Sequence, residues 1–190
     1  MSEAVMTPPA ATEVPTGRMG MWWFLASEVA IFGGLIVTYV LYRLGRPEWG
    51  AYASHTVNAA GAVNTLVLLT SSYLVVLAHR AAHSRQFQRS ARMLGFTVLL
   101  GLVFLAIKTY EYSHEIHAGF TPVTNLFWSF YYLMTGLHAL HVIGGMAALA
   151  WVGWAVRRGE HPARVEYAGM YWHLVDIVWI FLFPLLYLAS

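Results

Sequence analysis

Two carboxylates and three histidines stand where apolar chain should surround them. Glu28 and Asp176 each lie inside a long apolar stretch, nine or so residues from the end on the N-terminal side. At 1.5 Å per residue both sit roughly 13 Å deep, on the same side. An ionisable group at such depth costs a few kcal/mol, so it faces protein or water and has a use. Their matching depth lets both border one polar cavity; the alternative is two independent structural hydrogen-bonding groups. His173 precedes Asp176 by three residues and shares its helix face. Asp176 can then fix the tautomer of His173 or pair with it across a turn, between Trp172 and Trp179. A structural hydrogen bond is the default reading of this pair, and a proton relay is the sharper one.

Met134, His138, His141, Gly145 and Ala148 follow 3–4 spacing and form one stripe. Two intramembrane histidines invite a haem or copper reading. Histidines three apart on one helix cannot reach opposite faces of one iron, so a haem needs a second helix, with His173 as the other candidate. Interhelical hydrogen bonding beside Gly144, Gly145, Ala147 and Ala148 is favoured. Lys108 and Glu111, also three apart, read as a local ion pair with Lys108 reaching outward. The string His114-Glu115-Ile116-His117 is one residue short of the zincin HExxH and reads poorly as a metal site. Ala26, Ala30 and Gly34 form a ridge on which another helix can approach closely. Asn64, Thr65, Thr70, Ser71 and Ser72 make one apolar stretch unusually polar. No phosphate-binding loop, dinucleotide fingerprint or nucleophile elbow is present.

The elements that must position these residues follow from composition. The 190 residues are 58% hydrophobic and 11% charged, against about 45–50% and 25% in soluble domains. The absence of cysteine removes disulfides, thiolate metal sites, iron–sulfur clusters and a cysteine nucleophile. Five apolar stretches, about 19–42, 59–82, 93–113, 125–156 and 167–189, each suit a membrane helix. The fourth is long enough to tilt or protrude. Residues 1–17, rich in Pro, Ala and Thr, read as a disordered cytoplasmic tail, and residues 18–190 as one transmembrane domain. No signal peptide is visible, so the first span reads as the insertion signal. Eight arginines (18, 80, 85, 89, 92, 157, 158 and 164) fall on the N-terminal side and only Arg43 and Arg46 opposite. That asymmetry puts the N-terminus in the cytoplasm and the C-terminus outside. The fold class is therefore all-α, a five-helix transmembrane bundle; the +2 net charge says little about nucleic acid, and no nucleic-acid partner is expected.

The string YWHLVDIVWIF, residues 171–181, resembles the signature of subunit III of haem–copper oxidases. Four further segments agree in order. GMWWFLASEVAIFGG (20–34) is similar to the family helix that carries a glutamate, here Glu28. NTLVLLTSS (64–72) is similar to the polar second segment and YEYSHEI (110–116) to the EYxE stretch. TGLHALHVIGG (135–145) is similar to the TGxHGxHV helix, with its histidines at His138 and His141. The resemblance covers about residues 18–190. The family's long form has seven spans, the first two separated from the rest by a lipid-filled cleft. This chain matches the last five, so an equivalent cleft needs helices from a partner.

The resemblance implies a cofactor-free accessory subunit of a respiratory oxidase in a bacterial plasma membrane. Haem and copper would lie in partner subunits. The chain would pack beside subunit I, with subunit II in the same complex, hold phospholipid, and support proton uptake and the durability of the catalytic site. On that analogy Glu28, Glu111, His138, His141, Trp172, His173 and Asp176 are buried polar or lipid-associated positions, with none catalytic and none a metal ligand. The electron donor, cytochrome c or quinol, stays open. Other readings are a subunit III-like accessory of a nitric oxide reductase, a self-contained membrane cytochrome and a membrane proton transporter.

Overall fold

A computed structural model describes residues 16–53 and 55–188. Its elements are α1 (Thr16–Leu44), α2 (Trp49–Ala53), α3 (Asn58–His83), α4 (Phe87–His117), α5 (Leu126–Arg157), α6 (Arg164–Phe183) and a π turn (Pro184–Leu188). Among the described residues there is no strand. Five of the helices are long and apolar enough to cross a membrane. The tail expected at residues 1–17 lies, up to residue 15, outside the described residues, and residues 16 and 17 already belong to α1. Arginines gather at one end of the bundle, Arg92 beside Arg157 and Arg18 against Glu166.

Helix boundaries follow local chemistry. Asn125 caps α5, its side chain accepting from the backbone N–H of Trp128 at 3.1 Å. At the other end of α5, Gly159 adopts φ +79. It donates to Val156 O while Glu160 donates to Ala155 O, which is a Schellman closure. The same pair of bonds ends α4, where Gly119 has φ +89 and Phe120 reaches back to Glu115 O. Helix α4 therefore runs past the expected end at 113, carrying Glu115 into ordered structure. The turn from α3 to α4 closes likewise, but with Arg85 at φ 56. Pro184 lacks the N–H that an α-helix needs at that point, and the chain continues as a wider π turn.

Helices α3, α4, α5 and α6 pack as neighbours, and α1 leans on α6 and α5. Glycine sets the closest approaches. A Cβ at Gly145 would come within 2.8 Å of the Trp172 ring, so α5 and α6 meet only because that atom is missing. One at Gly61 would reach 2.6 Å from Phe183, which fixes α3 against the end of α6. Helix α1 presents Leu25, Glu28, Phe32 and Tyr39 inward. The ridge of Ala26, Ala30 and Gly34, on which another helix can approach, faces outward, since these positions fall on the opposite side of α1. The short α2, unseen in the sequence pattern, lays Trp49 on Tyr39 and Phe127 and closes one end of the core.

Candidate functional site

Polar side chains pair at three levels along the bundle, the outermost exposed and the inner two buried. Nearest the arginine-rich end, Arg18 of α1 is paired with Glu166 of α6. About the middle of α1, Glu28 Oε2 lies 2.8 Å from Nε2 of His141 on α5. Nδ1 of His141 donates to the carbonyl of Leu137, one turn back, at 2.8 Å. With that proton assigned, Oε2 and Nε2 have a single further proton to share between them. The pair is thus a polar bridge between the peripheral helix and the core.

On α6, His173 does not pair with Asp176. Its Nδ1 lies 2.6 Å from Ser72 Oγ of α3. Trp172 and Trp179 also reach across to α3, donating to Ser71 Oγ at 2.9 Å and Thr65 Oγ1 at 3.1 Å. The hydroxyl-rich face of α3 therefore serves as the acceptor rail for α6. Asp176 is 4% exposed and has no well-formed hydrogen bond to either oxygen; the Ser72 hydroxyl is its neighbour. Glu28 and Asp176 each have their own surroundings, Glu28 against His141 and Asp176 beside Ser72.

His138 is fully buried, with Phe104 edge-on at 5.5 Å and Trp179 at 5.3 Å between ring centroids. Both of its nitrogens lack partners. The stripe read from spacing therefore splits: His138 points into the core and His141 toward α1. Among the described residues no three His, Asp or Glu side chains gather as a metal-ligand set. In the string 114–117, Glu115 is buried while His114 and His117 are exposed, so its histidines do not converge.

At the far end of the bundle Lys108 does not reach outward. It is 3% exposed, because the three protons of its ammonium each find an acceptor inside. These are Glu111 Oε2 at 3.1 Å, Tyr131 OH at 3.1 Å and Tyr187 OH at 2.7 Å. Tyr131 in turn donates to Glu111 Oε1 at 2.8 Å. Four rings also face the cation, Tyr112 closest at 4.8 Å. Glu115 lies beside this group with no well-formed bond to either oxygen, near the hydroxyls of Tyr131 and Tyr132. Sequence spacing located the Lys108–Glu111 pair but not its tyrosines. Tyr131 and Tyr187 belong to other helices, and no local pattern marks them. Beyond this cluster, Tyr39 and Arg43 of α1 both donate to the Leu185 carbonyl of the π turn.

The model of the family described as cytochrome c oxidase subunit III matches residues 1–190. The chain is 38% identical over 181 residues to cytochrome c oxidase subunit 3 of Synechocystis sp., covering 92% of this chain and 76% of that one. It is 34% identical over 186 residues to the cytochrome c oxidase subunit 3 of Thermostichus vulcanus, covering 95% and 91%. It is also 33% identical over 184 residues to the heme-copper oxidase subunit I+III of Aeropyrum pernix, covering 90% of this chain and 22% of that longer protein. Five membrane-length helices, the interhelical polar bridges and these matches agree: the chain belongs to the cytochrome c oxidase subunit III family.

Proposed function

We propose that the chain is a cofactor-free accessory subunit of a respiratory haem–copper oxidase in a bacterial plasma membrane, bound beside subunit I, with subunit II in the same complex. Its arginine-rich end faces the cytoplasm. The observation that carries this reading is the use of the three intramembrane histidines. His141 is engaged at both nitrogens, His173 is tied to Ser72, and His138 is enclosed by rings. They point to different neighbours and form no shared ligand set. The Aeropyrum pernix relative, whose name joins subunits I and III in one chain, supports a place beside subunit I.

Phospholipid binding has a fitting surface. A groove of about 510 Å³ between α1, α5 and α6 is walled by Met21, Phe24, Ala148, Trp151 and Tyr171, with Arg164 among its lining. Apolar walls suit an acyl chain and the guanidinium suits a phosphate. The subunit supports proton uptake and the durability of the catalytic site through its contacts. The test is purification of the complex through a tag on this chain. A histidine-rich partner of twelve or more spans should co-purify, and all haem and copper should stay with the partners when the chain is dissociated. Stoichiometric haem or copper on the isolated chain overturns the reading.

A further inference from the structure

The cluster around Lys108 holds more oxidisable rings than an ion pair needs. Tyr131 OH lies 3.2 Å from Tyr187 OH, with ring centroids 5.9 Å apart. Tyr187 continues to Trp179 at 6.1 Å. In the other direction Tyr131 meets Trp128 and Tyr132, each at 5.2 Å, and Tyr112 at 6.1 Å. Trp179, Tyr187, Tyr131 and Trp128 are fully buried, whereas Tyr112 and Tyr132 are half-buried. The rings thus run in contact from the interior to a partly exposed edge. The chain has no cysteine, so no thiol competes as an oxidation trap. A tyrosine gives up an electron most readily when its hydroxyl proton has an acceptor. Tyr131 has one, for its hydroxyl donates to Glu111 Oε1 at 2.8 Å. By contrast, Tyr112 pairs with the Thr135 hydroxyl and Tyr132 donates to the Phe120 carbonyl, and neither of those is a base. Lys108 donates to the Tyr131 oxygen at 3.1 Å and steadies it once its proton has left. When Glu111 takes that proton, the ammonium keeps a second carboxyl neighbour in buried Glu115.

We propose that Tyr131, with Glu111 as its base, is a redox site that holds a stray oxidising equivalent as a neutral tyrosyl radical, reached and discharged through the neighbouring rings. The oxidant is a high-valent metal–oxo or peroxide-derived species of an oxygen-reducing partner. It takes one electron from a ring of the group and is itself reduced by one. The hole passes from ring to ring until it reaches Tyr131. There the Tyr131 O–H bond breaks, the proton forms a new O–H bond on Glu111 Oε1, and the radical stays on the phenol. Discharge reverses each step. A phenolic or haem-type one-electron donor at the half-buried edge supplies the electron, Glu111 returns the proton, and Tyr131 is a closed-shell phenol again. The site consumes one electron from the donor for each oxidising equivalent removed and needs no cofactor of its own.

The protective use of the site rests on the reading that the chain serves an oxidase; the radical chemistry of Tyr131 does not. Val123 is exposed on the turn before α5, and Ser129 of α5 ties that turn down by donating to the Pro122 carbonyl at 2.7 Å. Because the chain has no cysteine, Val123→Cys accepts a single ruthenium photosensitiser. In the full chain in detergent, a flash in the presence of a soluble electron acceptor oxidises the ruthenium, which injects a hole into the nearby rings. The tyrosyl absorption that follows should have a long-lived component. Its decay should slow in D2O, because the returning proton comes from Glu111. The component should be lost in Tyr131→Phe, which keeps the ring, and in Glu111→Gln, which keeps the tyrosine but removes its base. The exposed control Tyr110→Phe should retain it. Equal lifetimes in wild type and Tyr131→Phe overturn the site. In complexes of normal haem content, Tyr131→Phe should begin at the wild-type turnover rate and inactivate after fewer turnovers. Unchanged endurance overturns the protective use. Failure of the chain to co-purify with a haem-containing partner tells against the oxidase reading instead, and the flash experiment then decides the radical site by itself.

Discussion

The three protons of Lys108 meet three acceptors, and that match sets what replacing the residue does. Lys108→Met leaves Glu111, fully buried, facing two hydroxyls without its cation. Removing one member of a buried ion pair costs about 3–5 kcal/mol. The complex carrying Lys108→Met should therefore inactivate at a clearly lower temperature, and adding Glu111→Gln should recover part of the loss. A double variant no better than the single one would show that the pair is not the source. Glu28 belongs to a different arrangement. Glu28→Gln keeps one hydrogen bond to His141 Nε2 but removes a charge from the bridge between α1 and α5. Haem content of the complex should stay the same, with the effect appearing as altered turnover or faster inactivation; loss of haem would contradict the accessory role. The residues themselves were legible, because a carboxylate in an apolar run is conspicuous. Their partners were not. His141 stands 113 positions from Glu28 and Ser72 stands 101 from His173, and helical spacing reports only the neighbours within a turn or two.

At the scale of elements, the turns carry the sharpest expectations. Gly119 ends α4 in the left-handed region, where a side chain costs about 1–2 kcal/mol. Gly119→Ala should lower the thermal midpoint of the purified complex accordingly, and Arg85→Gly, which relieves the same strain at φ 56, should raise it. Equal midpoints for both variants would mean that these turns are slack. All five spans were visible in the sequence as apolar runs, because length and hydrophobicity suffice in lipid. The ends were set by other means. Helix α4 begins at Phe87 and not near 93, since the polar stretch Gln88 to Arg92 continues the helix at the polar rim. The five-residue α2 has no period to detect, and only Trp49 burying itself on Tyr39 defines it. The small-residue ridge of α1 was visible in the sequence without the identity of the helix it would receive, and it faces away from the other helices of this bundle.

For the whole molecule, the expected orientation gives a direct measurement. Reporter fusions at the two ends should place the N-terminus with the cytoplasmic marker and the C-terminus with the external one. The reverse pattern would contradict the orientation read from the arginine asymmetry. The bundle also has an unequal build. Helices α3 to α6 share a continuous core, whereas α1 keeps Trp22, Trp23, Val37 and Leu41 on its outer face. Such a face is normal against lipid or a neighbouring subunit and would be an aggregation hazard in water.

Helix α1 is secured at three levels by polar contacts: Arg18 to Glu166, Glu28 to His141, and Tyr39 with Arg43 to Leu185. All three anchors are synthesised late. At about 5–20 residues per second, the 113 positions between Glu28 and His141 take roughly 6–23 s to emerge. Through that interval the nascent first helix stands in the membrane with its carboxyl unclaimed. Biogenesis therefore contains a waiting period during which an insertion factor or another oxidase subunit can hold α1 before its own chain is able to.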